Sequence, residues 1–165
     1  MSLFSEALCE KANQILAACK QQGVTLATVE SCTGGLLGAI LTELPGSSDM
    51  FTHGFITYAN RAKEEMVDVP APLLQTHGAV SEPVARAMAE GALQRCSANL
   101  AIAITGIAGP NGGSENKPVG TVHLACAMRG KETTHQRCAF DGNRSAVRLA
   151  AVDTALEMIL AQLRD

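Results

Sequence analysis

Val24-Thr25-Leu26-Ala27-Thr28-Val29 runs directly into Glu30-Ser31-Cys32-Thr33-Gly34-Gly35, and this junction decides the fold. An apolar run of strand length without polar alternation reads as a largely buried strand. The hydroxyls and paired glycines after it read as a strand-to-helix turn. Leu36, Leu37, Ile40, Leu41 and Leu44 then continue at helical spacing until Pro45-Gly46 stops them.

Upstream, Phe4, Leu8, Ala12, Ile15, Leu16 and Cys19 mark an amphipathic helix over 3–22, closed by Gly23. Downstream, Ser47 or Ser48 can cap a short turn, with Asp49 favourable at its start. Gly54-Phe55-Ile56-Thr57-Tyr58 reads as a strand, and Asn60 as the cap of a helix over 61–67. Pro70, Pro72 and Gly78 make 68–80 a loop with room for one helical turn. Ser81-Glu82-Pro83 starts a helix that runs to about Cys96. Residues 98–105 form a third buried strand. The Gly/Pro-rich stretch 106–118 is long for a loop, and such loops are usually functional. Residues 119–128 and 132–140 are strands joined by Arg129-Gly130 as a hairpin, and a last helix runs from Asp141-Gly142-Asn143 to residue 163.

This order, α-β-α-β-α-α-β-β-β-α, predicts an α/β fold. Three helix-linked strands run parallel with right-handed crossovers, and the final hairpin makes the sheet mixed. Helices on both faces give a three-layer α/β/α sandwich. The 165 residues fit a single domain, 1–165, with a sizeable core. Aromatics are only 3%, so that core is aliphatic and alanine-rich.

A net charge of -3 without a basic run argues against a nucleic-acid surface. No apolar run approaches the ~18–20 residues of a membrane span. Residues 1–20 lack a basic segment followed by an apolar one, so the chain reads as cytoplasmic. The six cysteines form no C-x-x-C pair and have no histidine at zinc spacing, so they mark no zinc site; no cofactor is expected. A homodimer is the expectation from base rates.

Ligands of open α/β sheets bind beyond the carboxyl ends of parallel strands. Ser31 follows the first strand, Tyr58 ends the second and Thr105 ends the third, so three hydroxyls converge on one edge. Helix N-termini there offer N–H groups to an oxyanion or phosphate. A serine nucleophile needs a base. None of the four histidines lies in a G-x-S-x-G or similar setting. A lysine serves if burial lowers its pKa, which singles out Lys63; the alternative is a solvated surface lysine. Ser48 and Ser31 compete as nucleophile, the alternatives being a helix cap and a turn hydroxyl. Cys32 is intrinsically more nucleophilic but has no histidine partner. Gly34 and Gly35 allow close backbone approach or simply a tight turn. Arg144 and Arg148 share a helix face and suit a phosphate, a carboxylate or a surface salt bridge. Glu30 either orients a ligand group or a backbone amide, or is a paired carboxylate.

Six stretches together resemble the competence/damage-inducible CinA C-terminal family: TVESCTGG at 28–35, PGSSDMFTHGFITYAN at 45–60 with Lys63, HGAVSEPVA at 77–85, ITGIAGPNGG at 104–113, KPVGTV at 117–122 and FDGNRSAVR at 140–148. They occur in the family's order and span nearly the whole chain. Val29 and Asn143 are small departures, standing where alanine and a small or acidic residue are common. The resemblance implies a five-stranded sheet of order 2-1-3-4-5 with strand 4 antiparallel. It implies hydrolysis of the carboxamide of nicotinamide mononucleotide to nicotinate mononucleotide and ammonia, in pyridine-nucleotide recycling, by a metal-free serine–lysine dyad. On this chain it implies Ser48 as nucleophile and Lys63 as base, with Tyr58 assisting proton transfer or holding Lys63. Ser31, Thr33, Gly34 and Gly35 would bind the amide or form the oxyanion region. Thr105, Gly106 and Gly109 would border the substrate, and Arg144 would contact its phosphate or ribose.

Overall fold

A computed structural model describes residues 1–164. The chain forms a five-stranded mixed sheet of order β2-β1-β3-β4-β5, built from β1 (Leu26–Glu30), β2 (Phe51–Ile56), β3 (Leu100–Gly106), β4 (Thr121–Met128) and β5 (Thr134–Ala139). β1 pairs in parallel with β2 and β3, and β4 is antiparallel to both β3 and β5. The strand directions are those read from the order of elements, and the strand order is the one the family resemblance implies.

Six helices cover the sheet: α1 (Glu6–Gln22), α2 (Leu36–Thr42), α3 (Asn60–Val67), α4 (Ala71–His77), α5 (Glu82–Arg95) and α6 (Arg144–Arg164). Alternation along the strands sorts them into two layers. Leu26 of β1 and Leu100, Ile102 and Ile104 of β3 pack with α1, α2 and α6. Ala27, Val29, Ala101 and Ala103 face the other way, onto α3, α4 and α5. Alanines on that second face let the helices sit close to the sheet. The closest approach is at Gly91 of α5, where a Cβ would lie 1.8 Å from the Val67 carbonyl oxygen of α3.

Two elements differ from the sequence reading. Residues 71–77 are a regular helix rather than a loop, because Pro70 and Pro72 stand at its first turn, where proline costs no hydrogen bond. β2 begins at Phe51 and ends at Ile56, so Thr57 and Tyr58 lie just past the strand. Ser48 falls inside a one-turn 3-10 helix, Ser47–Asp49, ahead of β2.

Candidate active site

β1 delivers two polar side chains in succession, and the strand alternation sends them to opposite layers. Glu30 points toward α2. It is fully buried, and its carboxylate accepts from the Thr33 hydroxyl (2.8 Å) and from the N–H groups of Leu37 (2.9 Å) and Gly38 (3.1 Å). These are orphan donors of the α2 N-terminus. Glu30 and Thr33 are therefore fully engaged in holding the turn, and neither polar group is free for a ligand. Gly34 and Gly35 adopt φ of 56° and 104°, which bends the chain into α2. The Gly34 N–H is taken by the Ser31 carbonyl, and neither glycine lines the cavity described next.

Ser31 points to the opposite layer, where α3 brings up Lys63. The lysine is 1% exposed. Its Nζ lies 3.1 Å from Ser31 Oγ, 2.8 Å from the Thr57 carbonyl oxygen and 3.4 Å from the Tyr58 carbonyl oxygen, with no carboxylate partner among the described residues. Burial pushes its pKa down to about 8. As an ammonium, Nζ donates to all three oxygens; the neutral amine would keep its N–H groups on the two carbonyls and turn its lone pair to the serine hydroxyl. The bland reading of Lys63 as a solvated surface residue is excluded.

The amine of Lys63 thus meets Ser31 and not Ser48. Ser48 is exposed on the 3-10 turn and lies at the opposite end of β2 from Lys63, a strand's length of roughly 17–20 Å away. Within the chain the two form no dyad. Tyr58 also differs from expectation. It is the backbone carbonyl of Tyr58 that reaches Lys63, whereas its phenol accepts from Arg144 at 2.9 Å.

Ser31, Cys32, Tyr58, Lys63, Thr105 and Arg144 line a cavity of about 210 Å³ at the carboxyl edge of the parallel strands. Thr105 spends its hydroxyl on the Ala79 carbonyl (2.9 Å), fixing the 77–81 loop as one wall. Gly106 and Ala108 complete the floor. Gly109 lies outside the lining and acts through its carbonyl, which accepts from Arg144 (2.9 Å). Asn60, Ala79 and Val80 line the cavity as well. Asn60 reads in the sequence as a helix cap, and the two small apolar residues carry no signal of their own.

Cys32 is not an alternative nucleophile. Burial pushes its thiol up to about 11, so it stays protonated at neutral pH. Its backbone N–H, next to Ser31, bonds no other backbone group among the described residues. Arg148 donates to the Cys32 and Thr33 carbonyls (3.1 and 3.0 Å) and pins the turn from α6. Among the described residues, no cluster of His, Cys, Asp and Glu is placed to hold a metal ion, and no helix is long and apolar enough to cross a membrane.

Residues 9–163 match the CinA C-terminal domain. The chain belongs to this family. The crystal structure of competence/damage inducible protein CihA from Agrobacterium tumefaciens superposes over 100% of both chains at a TM-score of 0.97 and 48% identity. A CinA superfamily protein of Klebsiella pneumoniae superposes over 95% of this chain and 98% of its own, at 0.91 and 36%. The nicotinamide-nucleotide amidohydrolase PncC of Escherichia coli is 48% identical over 94% of each chain. A putative competence-damage inducible protein of Symbiobacterium thermophilum is 50% identical, but this CinA domain spans only 37% of its length. Two further CinA-like relatives are likewise spanned over 34% and 36% of their lengths.

Proposed function

We propose that this chain is a nicotinamide-nucleotide amidase that converts nicotinamide mononucleotide to nicotinate mononucleotide and ammonia, serving pyridine-nucleotide recycling. One observation carries the chemistry: a buried lysine amine, with no carboxylate partner, hydrogen-bonded to a serine at the bottom of a cavity. The likeness to the E. coli amidohydrolase over nearly the full length supports the substrate.

Ser31 is the nucleophile of this proposal and Lys63 the base. Neutral Lys63 accepts the Ser31 proton as Oγ bonds to the carboxamide carbon. The N–H of Cys32 faces the developing oxyanion; a well-placed donor of this kind is worth ~3–4 kcal/mol. Lys63 returns the proton to the departing nitrogen and ammonia leaves. Water then attacks the acyl-serine ester, giving one proton to Lys63, which passes it to Ser31 Oγ as the C–Oγ bond breaks; the acid product loses its remaining proton to solvent and departs as the carboxylate. Tyr58 and Arg144 wall the cavity at its mouth.

Ammonia release from nicotinamide mononucleotide tests this directly. S31A and K63M are expected to lose activity by at least about 10²–10⁴-fold, with S48A close to wild type. An inactive S48A beside an active S31A would return the nucleophile role to Ser48. That result would require a second copy of the chain to carry Ser48 to the lysine.

A further inference from the structure

A second cavity, of about 500 Å³, adjoins the first and shares Val80 with it. His77, Glu82, Lys117, His123 and Arg137 contribute to its lining. The sheet connects the two cavities. Thr105 of β3 is paired with His123 of β4, and His123 with Arg137 of β5. One row of side chains on one sheet face therefore runs from the wall of the catalytic cavity into the second. It covers two strand spacings, about 10 Å.

The charges of this cavity are unbalanced. Lys117 Nζ donates to the His77 carbonyl (2.6 Å) and Arg137 Nη2 to the Asn116 carbonyl (3.3 Å), so each keeps further donors. Neither has a carboxylate partner among the described residues. The one carboxylate in the lining, Glu82, is claimed by Arg86 (2.8 Å) and His135 (3.5 Å). His123 is held neutral: burial pushes it down to about 4, and His135, Arg137 and Lys117 add to the effect. Two cations brought from a loop and an edge strand to one concave surface, neither with an ion-pair partner among the described residues, are stabilised by an incoming dianion. Arg144 lines the first cavity rather than this one, and two of its nitrogens are engaged by Tyr58 and Gly109.

We propose that this second cavity is the anion subsite of the enzyme, where Lys117 and Arg137 hold the phosphomonoester of a nucleotide amide whose carboxamide lies at Ser31. The inference rests on the amidase reading of Ser31 and Lys63. It assigns selection of nucleotide over nucleoside to residues that do no chemistry.

The test compares nicotinamide mononucleotide with nicotinamide riboside, which lacks the phosphate, as substrates of wild type, K117M, R137Q and R144Q. K117M and R137Q are each expected to raise KM for the nucleotide by roughly 10–100-fold, with kcat kept and riboside kinetics unchanged. Equal losses on both substrates, or a nucleotide KM that responds only to R144Q, would overturn the assignment. Titration of the free proteins with inorganic phosphate needs no turnover. Wild type is expected to bind it and the K117M/R137Q double variant to lose it; equal binding by both overturns the subsite. If wild type releases no ammonia, the amidase reading fails and this titration alone decides the cavity.

Discussion

Lys63 is the residue on which folding and chemistry oppose each other. Its unperturbed value of 10.5 drops to about 8 because burial penalises the ammonium. That difference corresponds to about 3 kcal/mol of lost stability at neutral pH. Between pH 8 and the ordinary lysine value the unfolded chain holds a proton that the folded chain has released, so stability rises with pH across that window. K63M lacks this slope. Its denaturation midpoint is expected to exceed that of wild type below pH 8, and the gap to close as the pH approaches 10.5. On the proposed mechanism the same titration governs activity. At pH 7 only about a tenth of the amine is neutral, so kcat/KM for the amide is expected to climb about tenfold to a plateau above pH 8. A rate flat from pH 6.5 to 9 would mean that Lys63 is not the base. At this scale the sequence was legible in residue type but not in pairing. Ser31 and Lys63 are 32 positions apart, and their contact depends on the parallel pairing of β1 with β2 and on how α3 returns to the sheet. The rule that ligands gather beyond carboxyl strand ends already disfavoured Ser48, which precedes β2. Glu30 and Ser31 were adjacent candidates for one site. Strand alternation, also readable from sequence, separates them into a turn-holding carboxylate and the residue facing the lysine.

The position of the lysine is set at the level of α3 and α5. Lys63 and Val67 are four apart on the buried face of α3, so whatever seats Val67 also seats the amine. Gly91 is what lets α5 come down on Val67, since any Cβ there would overlap a backbone carbonyl. G91A is expected to push the helices apart, costing about 1–3 kcal/mol and several degrees of Tm. At temperatures where the variant is still folded, kcat should fall with it as Nζ moves away from Ser31. A folded G91A with unchanged kcat would show that the Thr57 and Tyr58 carbonyls alone fix the amine. No sequence pattern announces this contact, because a glycine in a helix reads only as a weak helix former. Other elements were legible in proportion to their punctuation. Pro-Gly, Ser-Glu-Pro and Arg-Gly marked three boundaries correctly, whereas the prolines of 70–72 concealed α4 because proline serves a helix start as well as a loop.

Across the whole molecule, the site is closed by the far end of the chain. Arg148 on α6 crosses a separation of 116 positions to the Cys32 carbonyl and 115 to that of Thr33. Sequence could place Arg144 and Arg148 on one helix face, but not that one would brace the turn after Ser31 while the other joined Tyr58 to the 109 carbonyl. That division depends on how α6 lies over β3, β4 and α2, a packing of nonlocal surfaces. A trans peptide group points its C=O and N–H in opposite directions, so holding the Cys32 carbonyl also aims the Thr33 N–H, and the turn that carries Ser31 inherits that orientation. R148M is expected to lower kcat about tenfold, the scale of a sub-ångström loss of alignment, with KM little changed because Arg148 does not line the cavity. R148K should not restore it, since an ammonium cannot span both carbonyls in the plane of the guanidinium. Thermal melting separates positioning from folding: a drop of a few degrees is the expected cost of two half-buried charged hydrogen bonds, and kcat is read well below that midpoint. A Tm loss with kcat intact would assign the turn's geometry to Glu30 alone and leave Arg148 as a brace between α6 and the turn after β1.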